Sequence, residues 1–311
     1  MSENDGRPRW TLTRRFEFIE WKLFWEGQVN RSDLEDTFAI STPQASVDLR
    51  NYREVAGQNI EYNSTEKGYL PSGRFSPKFL AISADRLLLQ LRAFLTGALK
   101  REDLWFKDLP AVDMTPDIVR SVDPESLRKI LRAIRTRQAI EVDYQSLTAS
   151  RRREIGPHAL AFDGHRWHAR AWCCEHGDFR DFVLSRIEKI GDAKPVNFDP
   201  ADDIEWVKTV GLRLCPHPGL SDAQKQAIQL DFGMTNGCRE ITVRLSLAYY
   251  FIKRMNLDLD HIEPQRAQIR LENRAEVDEA IRAAKDETAR RVEMRKAEGT
   301  PGDQNAASST P

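Results

Sequence analysis

The sequence predicts an α+β chain of several domains: a helical N-terminal unit closed by a hairpin, a central run of short antiparallel strands, and a mixed C-terminal part. Three observations carry this. Apolar residues recur at helical spacing in three short segments between about 13 and 53, strict apolar–polar alternation over 139–146 is followed by further strand signals to about 184, and the last third mixes both periods. With 311 residues and 40% hydrophobic content the chain can bury two or three cores. Its 47 basic and 48 acidic residues leave a net charge of -1, so any basic surface must be local.

In residues 13–25, Phe16, Ile19, Leu23 and Trp25 mark one helix face, and Gly27 ends the segment. Leu34 and Phe38 share a face of a second helix over 31–38. Ser41 and Pro43 then supply a cap and a first-turn proline for a third helix over 44–53, with Val47 expected toward the core. Segments 59–62 and 68–70 flank a polar tip, which reads as a hairpin. Three helices and a hairpin make a winged helix-turn-helix, assigned to residues 1–75.

Residues 76–123 read as a helical linker, with a helix over 80–99 carrying Leu87, Leu88, Leu91 and Leu95 before a proline-punctuated stretch. A helix over 124–136 leads into strands at 139–146, 153–162, 167–174 and 179–184, with Asp163-Gly164 and His176-Gly177 at the turns. Strands at this spacing predict a small barrel over 124–195. Residues 196–298 read as a compact α/β domain, with strands at 240–246 and 267–271, a helix over 249–255 and a charged helix over 275–296. The Gly/Ser/Ala/Pro-rich tail, 299–311, is expected to be disordered.

A recognition helix needs small or hydrogen-bonding side chains in its first half, because those approach base edges in the major groove. Thr42, Gln44, Ala45 and Ser46 meet that need. Gln44 suits adenine, Arg50 and Arg53 suit guanine or phosphate, Asn51 and Tyr52 suit backbone contacts, and Lys67 sits at the wing tip. Acids and bases nearly balance in this unit, which predicts dependence on a dimer for affinity.

The central segment concentrates bases: Arg151, Arg152, Arg153, Arg166, Arg170, Arg180 and Arg186. Alternation over 166–173 puts Trp167, Ala169, Ala171 and Cys173 on one face and Arg166, His168, Arg170 and Trp172 on the other. Cations in a row repel unless an anion or carboxylates lie among them, so this face predicts a nucleotide or oligonucleotide ligand, with Trp172, Tyr144, Ser146 and Phe182 adding stacking surface and a hydroxyl. The alternative is a solvated face paired with Asp143, Asp163 and Asp181.

The segments Tyr144-Gln-Ser146, Pro157-His158-Ala-Leu-Ala-Phe-Asp-Gly164, Arg166-Trp167-His168-Ala169 and Phe179-Arg180-Asp-Phe182-Val-Leu-Ser185-Arg186-Ile187 resemble a WYL domain, and the segment from Val243 to Arg254 is similar to the C-terminal dimerisation module of phage-defence-associated WYL regulators of the BrxR and CapW kind. The resemblance implies an Sm-like small β-barrel between a winged helix-turn-helix and an α/β dimerisation domain. It implies a homodimeric transcriptional repressor of BREX- or CBASS-type islands, bound to an inverted-repeat operator in double-stranded DNA and released by a ligand on the WYL domain. By matching positions, the ligand cleft would comprise Tyr144, Ser146, His158, His168, Arg170, Arg180, Phe182 and Arg186. The Trp-Tyr-Leu triplet reads Trp167-His168-Ala169 here, and a histidine adds a charge that suits phosphate. A defence component that binds RNA or single-stranded DNA without operator specificity is the alternative.

Other classes are disfavoured. Cys173, Cys174, Cys215 and Cys238 form no C-x-x-C pair, so they are expected to be free thiols in a reducing cytoplasm, with no metal and no cofactor. Residues 1–9 lack an apolar h-region, and no apolar run is long enough to span a bilayer. An enzyme is not expected, because alternation separates Cys173 from His168 and no P-loop or nucleophile elbow occurs.

Overall fold

The computed structural model describes residues 7–116, 118, 120–259 and 261–298, so the tail expected at 299–311 lies outside the described residues. The chain divides into two compact units, Met1–Ile118 and Val119–Pro311.

The first unit comprises α1 (Arg7–Trp25), α2 (Arg31–Phe38), α3 (Thr42–Ala56), β1 (Ile60–Asn63), β2 (Gly68–Pro71) and α4 (Ala84–Leu95). Asn30 and Asp33 form a reciprocal capping box at the start of α2. Ala39 takes the left-handed conformation (φ 50°) that ends it, and the Ser41 hydroxyl accepts from the Gln44 N–H to start α3. The helices close on Phe16, Ile19, Leu23, Leu34, Leu49 and Tyr52. The β1–β2 wing pairs antiparallel, and Val29 adds a bridge to Tyr69. The helix expected over 80–99 is shorter, from the Ser83 cap to Leu95.

The phase of α3 differs from the expected one. Ala45, Asp48, Leu49, Tyr52 and Ala56 face the core, at the i, i+3, i+4 spacing of a buried stripe, while Val47 is only half-buried. Ala45 and Tyr52 therefore cannot touch DNA: each is fully buried, and the Tyr52 hydroxyl donates to the buried Glu20 carboxylate at 3.0 Å. Burial and the Glu20 charge push that phenol far above its usual range. Glu20 also accepts the backbone N–H groups of Lys78, Phe79 and Leu80 at 2.7–2.8 Å, which anchors the chain leaving the wing.

The second unit begins with α5 (Pro124–Thr136) and continues through β3 (Gln138–Gln145), β4 (Ser150–Phe162), β5 (Trp167–Cys173), β6 (Asp178–Val183) and β7 (Ile187–Pro195). These strands form one antiparallel sheet in the order β6–β5–β4–β3–β7. Laid flat, the outer strands of such a row would lie about 19 Å apart, four spacings of about 4.8 Å. The turn Leu184–Arg186 joins them, and four residue steps reach only about 14 Å. The sheet is therefore rolled, and the Tyr144 hydroxyl on β3 accepts from the Val183 N–H at the end of β6. Among the described residues no ladder joins β6 to β7, so the expected barrel is not closed.

One sheet face buries Ile140, Val142, Ile155, Ala169, Ala171 and Phe182 against Ile130 and Ala133 of α5. The other face is not exposed, as the solvated alternative would require. His168, Arg170 and Trp172 are 2%, 4% and 8% exposed, packed against parts of the remaining chain, which runs through α6 (Ile204–Val207), β8 (Thr209–Pro216), α7 (Asp222–Asp231), β9 (Arg239–Arg244), α8 (Leu245–Arg254), α9 (Pro264–Ala267), β10 (Ile269–Leu271) and α10 (Arg274–Glu298). Trp172 and Phe179 pack with Val292 of α10 and with Phe198. Gly156 makes room for that ring, since a Cβ there would lie 2.4 Å from Phe198 Cε1.

Strands β10, β8 and β9 form a second antiparallel sheet, with β8 central. Its core joins Leu212 and Leu214 to Ala248, Ile252 and Val277. Cys215 and Cys238, expected to be free thiols, are disulfide-bonded: the β8–β9 register continues to bring them face to face, with Cα atoms 4.4 Å apart. Cys173 and Cys174 are unbridged. Among the described residues no helix is long and apolar enough to cross a membrane.

Candidate functional site

In the first unit, the helix-turn-helix formed by α2 and α3 leaves Thr42, Gln44, Arg50 and Arg53 exposed and Ser46 and Asn51 half-buried. Ser46 Oγ donates to the Thr42 carbonyl at 2.9 Å, which settles its rotamer. Gln44 Nε2 donates to Asp48 Oδ1 at 2.9 Å, and Arg15 Nε holds the buried Asp48 at 2.6 Å. Gln44 is thus pre-oriented, with its second amide hydrogen and its carbonyl oxygen available to a base edge. Arg50 and Arg53 have no ion-pair partner among the described residues. Lys67, exposed with φ 51°, sits at the wing tip beside the Asn63 side chain that ties the turn. The chemistry of this face is hydrogen bonding, together with two cations that have no ion-pair partner among the described residues.

In the second unit the expected ligand residues fall into two groups. Tyr144 and Phe182 meet edge to face at 5.2 Å on the α5 side of the sheet. Ser146 closes the β3–β4 turn through its bond to the Ala149 carbonyl (2.8 Å), and half-buried Arg186 lies in the β6–β7 turn with no partner among the described residues. His158, His168 and Arg170 belong to the opposite side. Arg180 is at the rim, paired with Asp178 at 2.7 Å.

Arg170 is the centre of that side. Its Nε and Nη2 grip the fully buried Asp203 at 2.7 and 2.8 Å, and Asp181 and Glu205 approach at 3.4 and 3.3 Å. Burial alone would lower its pKa, but the Asp203 hydrogen bonds and the surrounding charges raise it. Asp203 also meets His158 Nε2 at 2.9 Å and caps α6; burial opposes its ionisation, yet the bonds from Arg170 and His158 hold it below the usual carboxylate range. Asp181 and Glu205 are pushed upward, chiefly by desolvation. His168 Nε2 pairs with Asp163 at 2.9 Å, and its ring lies tilted at 5.0 Å from that of Tyr250, whose hydroxyl donates to Asp181 Oδ2. Bonds from His168 and the His165 and Arg166 amides hold Asp163 well below its usual range despite burial.

Beside Arg170 opens a cleft of about 500 Å³ between β5–β6 and the helices α6, α8 and α10. Asp203, Glu205, Ser246, Tyr250 and Lys285 were not singled out as site residues from sequence. The acidic run Asp199–Glu205, directly after the basic sheet, was the available signal for the counterions. Cys173 Sγ lies 3.2 Å from His176 Nδ1, but the sulfur is buried in the sheet core, out of reach of a substrate. Sulfurs of Cys215 and Cys238 and a Glu272 oxygen lie within 4.8 Å of one another, though the sulfurs are bonded to each other.

Comparison with known proteins matches three family profiles in chain order: the BrxR transcriptional regulator winged helix-turn-helix domain over residues 11–93, the WYL domain over 125–191 and the BrxR transcriptional regulator C-terminal dimerization domain over 209–277. Full-length similarity accompanies them. A DNA-binding transcriptional repressor CapW of Stenotrophomonas maltophilia is 36% identical over 292 residues, 92% of this chain and 97% of that protein. CapW repressors of Escherichia coli (strain KTE188) and Pseudomonas aeruginosa are 37% and 38% identical, over 86% and 88% of this chain and 91% and 93% of theirs. The chain therefore belongs to the family of CapW DNA-binding transcriptional repressors, with BrxR-type winged-helix and dimerisation domains flanking a WYL domain.

Proposed function

We propose that two copies of this chain, joined through the C-terminal domain, bind an inverted-repeat operator with α3 and the wing and repress a phage-defence operon of the BREX or CBASS type. A nucleotide or nucleic-acid ligand on the WYL domain relieves the repression, and the cleft beside Arg170 and Arg180 is where we assign its recognition. The observation that carries the DNA half is α3 itself: Ala45, Leu49 and Tyr52 are committed to the core, so Thr42, Gln44, Ser46, Arg50 and Arg53 are the groups left for a groove. The relatives' description as repressors gives the direction of regulation.

Footprinting of the upstream region of the gene tests this. A palindromic site should be protected, and Arg50→Ala, whose side chain supports nothing in the fold, should weaken binding by about 1–3 kcal/mol without lowering the melting temperature. Gln44→Ala should act in the same direction. Unchanged affinity in both variants removes α3 as the reading element. Tight single-strand binding with no protected palindrome replaces the repressor by a single-strand-binding component.

A further inference from the structure

The cleft between the rolled sheet and the C-terminal helices carries a sharper statement about the ligand, one that rests on the sensing role just proposed. A phosphate group is badly matched to its interior. The buried Arg170 is already spent on Asp203, and Asp181 and Glu205 close around it, so one cation faces three carboxylates. An added anion would meet net negative charge there.

What the interior leaves open is one carboxylate acceptor and one hydroxyl. Asp181 Oδ1 and Ser246 Oγ are buried and have no hydrogen-bond partner among the described residues, although both residues line the cleft. Ser246 is 8% exposed and the Asp181 side chain 10%. Buried polar groups are rarely left unpaired without a reason. The rim is different. Lys285 and Arg180 are exposed there, and the Tyr249 ring, 57% exposed, offers a flat face. Together these describe a ligand with a donor edge inward, an aromatic body and an anionic group outward.

We propose that this cleft binds a guanine nucleotide, base inward, with N1–H and the 2-amino group donating to the carboxylates of Asp181 and Glu205 and Ser246 Oγ–H donating to O6. The ring lies against Tyr249, and the phosphate reaches Lys285 and Arg180. A volume of about 500 Å³ suits a ligand of this size. Adenine and cytosine place an unprotonated ring nitrogen beside the amino group, which would oppose a carboxylate, and uracil offers one donor between two acceptors. Because α8 lies within the matched dimerisation segment (209–277), a base wedged between β6 and α8 acts directly on the module that pairs the subunits.

Calorimetric titration of the full-length protein with GMP, AMP, CMP, UMP and ribose 5-phosphate tests the proposal. GMP should bind at least about tenfold more tightly than the others, and Ser246→Ala and Asp181→Asn should each cost about tenfold or more for GMP. Lys285→Ala should weaken GMP but leave guanosine unchanged. AMP or ribose 5-phosphate binding as tightly as GMP overturns the proposal, as does a wild-type GMP affinity in Ser246→Ala, the variant least able to disturb folding. Operator release is measured separately. GMP bound with the expected selectivity but no release leaves the guanine site standing and removes the sensing role. Release by other nucleic acids with no GMP binding does the reverse.

Discussion

Replacing Arg170 by Met keeps the volume of the side chain and removes the cation, which isolates the electrostatics of the sheet's covered face. Three carboxylates would then stay behind: Asp203 fully buried, Asp181 and Glu205 with 10% and 14% of their side chains exposed. Removing one partner of a buried ion pair costs about 3–5 kcal/mol, and this case belongs at the upper end because three acids lose one shared partner. For a unit of this size that corresponds to a fall of about 6–20 °C in melting temperature. The cost should depend on pH. Without Arg170, burial raises the folded-state pKa of all three carboxyls above their unfolded values, so their stabilising contribution is complete below the unfolded value and is lost as pH rises through the folded one. Urea unfolding followed by tryptophan fluorescence should therefore show a smaller deficit near about pH 5 than near about pH 7.5. A deficit under about 1 kcal/mol at the higher pH, or a larger one at the lower pH, would refute the reasoning. Adding Asp203→Leu to Arg170→Met should recover part of the loss, because the best-buried uncompensated charge is then gone.

Two further predictions concern the scaffold. Glu20→Gln keeps the shape but sets an amide group against donors that now point at a carboxylate, and it should cost about 3 kcal/mol and open residues 76–80 to limited proteolysis; an unchanged cleavage pattern would count against the anchoring role of Glu20. Gly156→Ala puts a methyl into the Phe198 ring and should lower stability by about 1–3 kcal/mol with a changed near-ultraviolet circular dichroism signal, whereas an unchanged melting curve would show that the ring moves freely.

Element order was legible from sequence because caps and turns are local. Ser41 and Pro43 do begin α3, and the Asp163-Gly164 interruption does separate β4 from β5. Alternation along β5 also sorts its side chains correctly, with Ala169, Ala171 and Cys173 on the α5 side. What alternation cannot say is what covers each face. The counterions of Arg170 lie 11, 33 and 35 residues along the chain, and no periodicity links them to it. The phase of α3 was misjudged for a related reason: with few large apolar residues, Val47 and Leu49 both offered a plausible stripe, and the decision came from the distant Glu20, which accepts the Tyr52 hydroxyl. The Cys215–Cys238 bond was hidden because no strand was expected over 209–216, although Val210, Leu212 and Leu214 alternate there, so nothing placed the two cysteines opposite each other.

The Glu20 carboxylate grips two things at once: the Tyr52 hydroxyl of α3, and the backbone of residues 78–80 a few positions before the Ser83 cap of α4. A displacement of α3 that strained the Tyr52–Glu20 bond would therefore also load the segment that leads into α4. Glu20 is thus a shared joint, through which the position of α3 and that of the chain leading into α4 are set by one carboxylate.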